Sequence, residues 1–268
     1  MQGQIQHIHR HLAAKLLEAA DELFPSFEAE PVHRFRVAYK KMRAFLRMVQ
    51  QVAQNRDARM NADKKTFYRA MGSLRDTQLQ QVLVIHSFIS SLCQAEGYLQ
   101  YLNHTAMELV MPLKKKKVMA VFEPADKKLT EIIDENIDRD GFFRYLRDNW
   151  HISGTLVAKT NITDEELHQV RKILKDSCYN LSIFTAWLQE GNEAFADTDE
   201  LDKMATRLGK YQDLTVSLNM LRKFLAGEVA DRERNALAHL EEELTRRRVN
   251  ERQQLLQMLT GYFSVSPE

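Results

Sequence analysis

Apolar residues between Val32 and Val49 recur at the three- and four-residue spacing of an α-helix. Phe35, Tyr39, Met42, Phe45, Leu46 and Val49 share one face, as a helix resting on a core requires. The same reading predicts helices near residues 3–23, 30–53, 60–90 and 93–121 in the first half of the chain. Phe24-Pro25-Ser26 closes the first of these, and Phe122-Glu123-Pro124 the fourth. Glu30-Pro31 suits the opening turn of the second, where the N–H that proline lacks would go unpaired in any case. A second set begins near Asp138-Arg139-Asp140-Gly141, and Thr163 followed by Glu166 forms a capping box that fixes the start of a further helix. No run alternates apolar and polar residues long enough to force a strand. The expected fold is all-α, with one domain made of two four-helix bundles, residues 1–135 and 136–268, related by internal duplication.

The polar face of the Val32–Val49 helix is basic rather than mixed. His33, Arg36, Lys40, Arg43 and Arg47 fall within a stripe of about 80° at 100° per residue. A worn copy, L-H-Q-V-R-K-I-L-K-D-S-C-Y-N-L-S at residues 167–182, places His168, Arg171 and Lys175 each 135 residues after its counterpart. Cys178 and Ser182 stand where the first copy has Arg43 and Arg47. A second shared pattern follows each helix: Met71-Gly72-Ser73-Leu74-Arg75-Asp76 and Leu208-Gly209-Lys210-Tyr211-Gln212-Asp213, offset by 137 residues. A single basic row is ordinarily a solvated face. Two rows with the same order and nearly the same spacing argue for a shared role. Each half also carries a later basic run, Lys114–Lys117 and Arg246–Arg248.

Composition narrows the class. The chain has 268 residues, 44% of them hydrophobic, with 5 Pro and 9 Gly, which describes a globular and largely helical protein. Its net charge of +1 hides two unlike halves: 20 Lys and Arg against 15 Asp and Glu up to residue 135, then 18 against 22. Residues 33–75 hold 12 basic side chains, opposed only by Asp57 and Asp63. Charge at that density attracts polyanions, and in a near-neutral molecule the attraction must be local. No run of 18 apolar residues occurs, the N-terminus lacks the apolar stretch of a secretory signal, and Cys93 and Cys178 are the only cysteines. A cytoplasmic protein that does not enter membranes is therefore expected. His7 and His11 have the spacing of a zinc pair but no H-E-x-x-H context, and neither cysteine sits in a C-x-x-C. Phosphate loops and G-x-S-x-G elements are missing too, so no metal, cofactor or catalytic residue is expected.

The pattern H-x-x-R-x-x-x-K with a later G-x-x-[RQ]-D, present twice in a helical chain of this length, resembles the CHAD family, the conserved histidine α-helical domain. The resemblance spans essentially the whole chain, and the first copy, His33 to Ala44, is the closer match. It implies two four-helix bundles facing each other across a pseudo-twofold axis, with a basic central groove that binds inorganic polyphosphate and an association with polyphosphate granules. It also implies a binding module rather than a catalyst. The E-x-E-x-K signature of the CYTH domain that often accompanies CHAD is absent from these residues.

The residues support such a groove in their own terms. A helical stripe offers a cation about every 5–6 Å, which suits a linear polyanion. Arg36 and Arg43 can present bidentate forks to phosphate oxygens, Lys40 a compact charge, and His33 ring N–H donors, with Arg47 extending the row. His168, Arg171 and Lys175 form the partial second wall, and Lys114 and Lys117 are the two of their run that can point inward. Asp76 and Asp213 are expected to pair with basic residues of the histidine helices and fix their rotamers. Gly72 and Gly209 are expected to permit close helix packing. RNA is the alternative polyanion, against which the stripes lack interleaved aromatics for base stacking. A third reading makes His33 and His168 metal ligands or phosphoacceptors.

Overall fold

The computed structural model describes residues 2–90, 92–122, 137–189 and 198–264. The first half runs α1 (Gln2–Asp21), α2 (Ala29–Val52), α3 (Ala62–Ser87), a 3-10 turn (Leu92–Gln94), α4 (Glu96–Val110) and α5 (Lys115–Phe122). The second runs α6 (Arg139–Val157), α7 (Asp164–Ile183), the short α8 (Thr185–Gln189), α9 (Thr198–Leu225) and α10 (Asp231–Ser264). No strand occurs among the described residues, and the all-α expectation holds. Among the described residues, four long helices in each half carry the fold.

Helix starts follow the local chemistry. Asn61 accepts the Lys64 N–H at 2.8 Å and Asp138 accepts that of Gly141 at 2.7 Å, each side chain satisfying a first-turn donor. At the start of α7 the expected capping box is formed. Thr163 Oγ1 accepts the Glu166 N–H at 3.2 Å, and Glu166 Oε2 accepts the Thr163 N–H at 2.8 Å. The single helix expected over residues 93–121 is instead α4 and α5, broken at Met111-Pro112. Pro112 can neither donate to the preceding turn nor sit in a helix interior without a clash. The break lets α4 pack on α3 while α5 returns to α1.

The two halves are not separately cored. Phe35, Phe45 and Met48 of α2 belong to one hydrophobic cluster with Phe142 of α6, Leu174 of α7 and Leu255 of α10. A second cluster joins Val84, Phe88, Tyr98 and Leu102 of the first half to Leu218, Leu221, Leu237, Leu240 and Leu244 of the second. Helices α2 and α7 pack directly on each other, and α3 meets α9. Polar ties cross the same seam: Asn180 Nδ2 donates to the Ala44 carbonyl at 3.1 Å, and the Tyr98 N–H donates to Glu233 Oε1 at 2.8 Å. Glu233 thus places a carboxylate on the N-terminus of α4, where it complements the helix dipole. Its approach requires Gly97, whose missing Cβ would lie 2.6 Å from Glu233 Oε2.

Candidate anion-binding cluster

Because α2 packs on α7 with α3 and α9 alongside, the two basic stripes converge where the halves meet. Lys40 marks the centre. Burial lowers its pKa to about 7, and the positive charges of Arg36, Arg171 and Arg43 push the same way, with Asp213 opposing. Arg36 and Arg43 come from the helix of Lys40, whereas Arg171 comes from the other half of the chain. Among the described residues none of these four cations has a carboxylate within ion-pair distance. The Nε atoms of Arg43 and Arg171, the Tyr39 hydroxyl and His168 Nδ1 are all buried without a hydrogen-bond partner. A buried polar group without a partner is costly, so each of these groups favours an added partner, whether water or an anion.

The glycines decide where the arginine heads lie. A Cβ on Gly72 would stand 2.5 Å from Arg36 Nη1, and one on Gly209 would stand 3.6 Å from Arg171 Nε and Nη2. The same glycine-arginine apposition therefore occurs in both halves, α3 against α2 and α9 against α7. The expected pairing of Asp76 and Asp213 with the histidine helices is not formed, since no ion pair reaches either carboxylate. They lie one helical turn beyond the glycines and act at a distance. Burial raises both pKa values, while Arg36 pulls Asp76 down most strongly and Arg171 does so for Asp213. In the first half the absence of a side chain at Gly72 makes room for Arg36, whereas at Gly209 a Cβ would only touch Arg171.

The other expected site residues divide. His33 is exposed and reaches the cluster electrostatically. Burial lowers its pKa, as do the charges of Arg75, Lys40 and Arg36, while Glu30 raises it. His168 is also lowered, first by burial and then by Lys172 and Arg171, against Glu165 and a hydrogen bond with Gln212. Both rings are thus biased to the neutral form until an anion arrives. Arg47 is not free for a ligand: its Nη1 donates to the buried Asp176 at 2.5 Å, inside a cleft of about 340 Å³ also lined by Gln50, Tyr145 and Asn149. Lys175 is likewise taken, by Asp202 at 2.9 Å. Lys114 stands just before α5 and Lys117 on it, both exposed; α5 packs on α1 and α3, and Lys115 pairs with Asp21 at 2.6 Å. They are not among the charges that act most on Lys40, Asp76 or Asp213.

The CHAD domain family matches the chain over residues 6–198 and again over 164–262, two matches that overlap on α7. The chain belongs to the CHAD family. Solved structures agree on the fold. The CHAD domain from the plant Ricinus communis superimposes with a TM-score of 0.73 at 13% identity, covering 99% of this chain and 92% of that one. PptA from Streptomyces chartreusis gives 0.69 at 14% identity, covering 96% and 98%. No curated protein is similar enough in sequence to count as a relative.

Within this CHAD fold the stripes alone would not have identified Tyr68 of α3. Its ring stacks on Tyr39 with centroids 4.1 Å apart, and the guanidinium carbons of Arg36 and Arg43 lie 5.0 and 5.6 Å from its centroid. Tyr68 thereby holds two cationic heads side by side without neutralising them. Tyr68, Gly72 and Asp76 stand four residues apart, so one face of α3 serves the cluster, and that periodicity was the signal available in the sequence. On α7, Tyr179 completes the lining. Burial pushes its hydroxyl up to about 12, with Arg171 lowering it and Tyr68 raising it across the seam.

Proposed function

We propose that this CHAD protein is a non-catalytic module that binds inorganic polyphosphate, seated in a basic groove between α2 and α7. The observation that carries the proposal is the uncompensated cluster of Arg36, Lys40, Arg43 and Arg171. Some basic side chains elsewhere have carboxylate partners, such as Arg207 with Glu251 at 2.8 Å and Arg222 with Glu241 at 2.6 Å, and others, such as Arg139, have none among the described residues; what sets the cluster apart is that its cations act on one another across the seam. A polyanion would supply the missing countercharge and accept from the orphaned donors at once, and charge-assisted bonds to phosphate are the strong ones. RNA fits less well. The ring of Tyr68 is taken up by Tyr39 and two guanidinium groups, leaving no platform for a base. Targeting of the protein to polyphosphate granules in the cytoplasm follows from the same chemistry. The test is displacement of labelled long-chain polyphosphate from the protein by unlabelled polyphosphate and by single-stranded RNA of matched charge. Polyphosphate should compete at far lower concentration, and equal competition would reduce the module to a general polyanion binder.

A further inference from the structure

From Thr77 to Leu113 the chain has no Lys or Arg, although 38 are spread over its 268 residues, and its only acids there are Glu96 and Glu108. This stretch follows directly on the residues that serve the basic cluster. Helix α3 changes its environment along its length. Phe67, Met71 and Leu74 are buried in the first core, whereas Leu79, Val82 and Ile85, with Ile89 just beyond the helix end, face solvent. Their spacing of three to four residues keeps them on one side of the helix over roughly 15 Å. Beside them runs α4, tied on by a hydrogen bond from Gln81 Nε2 to Asn103 Oδ1 at 2.7 Å. One and two turns past Asn103 stand Met107 and Met111, also exposed. The six apolar residues are between 36% and 74% exposed. Single exposed apolar residues are ordinary, but a group of this extent on two adjacent helices marks an interaction surface.

The charge pattern says what fits it. A twofold dimer packs one patch against itself, so an unpaired charge close to the axis meets its own copy. A surface without Lys or Arg, rich in branched aliphatic residues and Met, avoids that conflict and matches the composition of interface cores. We infer that the α3–α4 face is where a second copy of this chain docks. The two α3 helices would cross near Ile85, leaving both basic clusters open. A dimer would then offer a long polyanion two sites on one particle, which raises avidity without new contacts; this last step alone rests on the proposed function.

Sedimentation velocity on the full chain through the micromolar range tests the inference. The wild type should sediment as a dimer, and Val82→Glu with Ile89→Glu should sediment as a monomer with unchanged helical circular dichroism and melting, because both positions are more than half exposed. Val249→Glu, at an equally exposed apolar residue on α10, should leave the dimer intact. A monomeric wild type overturns the inference, as does a dimer that survives the double substitution.

Discussion

The α2 wall of the cluster and the α7 wall share a sequence pattern but hold their charges differently. On α2, Arg36, Lys40 and Arg43 face the seam with no carboxylate bound to them. On α7, Lys175 is held by Asp202, and Asp176 takes Arg47 from across the seam. The positions that correspond to Asp176 and Asp202 in the first half are Lys41 and Lys65. At two places, therefore, the second half has an anion where the first has a cation. Cys178 adds a third difference: burial pushes its thiol up to about 11, so it offers no thiolate where Arg43 offers a fork. The contrast sets one basic stripe whose central charges stand open against a second that has fewer charges, with Lys175 partnered inside the protein. Arg171 is the exception, since it keeps its counterpart's glycine contact and its orphaned Nε.

The strongest way to break this comparison is to remove cations from each wall in turn. Arg36→Ala with Lys40→Ala takes away two charge-assisted contacts and should weaken polyphosphate binding by about 3 kcal/mol, roughly a hundredfold, in a calorimetric titration. Arg171→Ala with Lys175→Ala should cost about tenfold, nearly all of it from Arg171, because Lys175 already has a partner. Equal losses from the two pairs would show that the walls remain equivalent.

What the sequence disclosed and what it hid follow one division. The face of α2 that is buried, the capping box at Thr163 and Glu166, and the start of α6 at Asp138 are local, and each was legible from residues within a turn or two. The repeated Gly and Asp were legible as a pair, but which of them seats the arginine depended on how α3 lies against α2. The partner of Arg47 is 129 residues away on another helix, and no periodicity within α2 distinguishes a cation with such a partner from one without. Pro112 was read through because the apolar run on either side continued the helical spacing, while the fold needs a break there: α4 starts in the second core and ends on the first, and α5 turns back along α1. The placement of Lys114 and Lys117 was equally hidden: a basic run announces charge but not direction.

The pH dependence of binding sharpens the comparison at Lys40. In the unbound fold Lys40 titrates near 7, well below its ordinary value of 10.5, so at pH 8 much of it is neutral. A bound polyanion restores the proton, and binding is then coupled to proton uptake. Affinity should fall as pH rises from 7 to 9, by up to tenfold per unit, and Lys40→Met should flatten that slope while Lys175→Met keeps it. His33 and His168, lowered from 6.5 in the unbound fold, also take up protons where an anion raises them, and that contribution persists in Lys40→Met. The unbound protein shows the opposite sign. The folded state holds fewer protons on Lys40 than the unfolded chain does between pH 7 and 10.5, so the cost of Lys40 to the fold is complete below pH 7 and is relieved as pH climbs. A titration in which wild type and Lys40→Met give parallel pH profiles would remove Lys40 from the binding site.

The smallest effect discriminates most finely, because it changes no charge. Alanine is favoured over glycine inside a helix by up to about 1 kcal/mol, so Gly209→Ala should raise the melting temperature. Its Cβ would meet Arg171 at 3.6 Å, an ordinary contact, and affinity should hold. Gly72→Ala gains the same helix propensity, but its Cβ would lie 2.5 Å from Arg36 Nη1. The guanidinium is the free end of a flexible side chain, so it moves rather than unfolding the helix, and in moving it leaves the place where it sits beside Lys40 and over Tyr68. Melting should therefore not fall, while polyphosphate affinity drops severalfold. If both alanines stabilise the protein and neither changes affinity, the seat that Gly72 provides for Arg36 has no part in binding, and the advantage of the α2 wall must come from its unpaired charges alone.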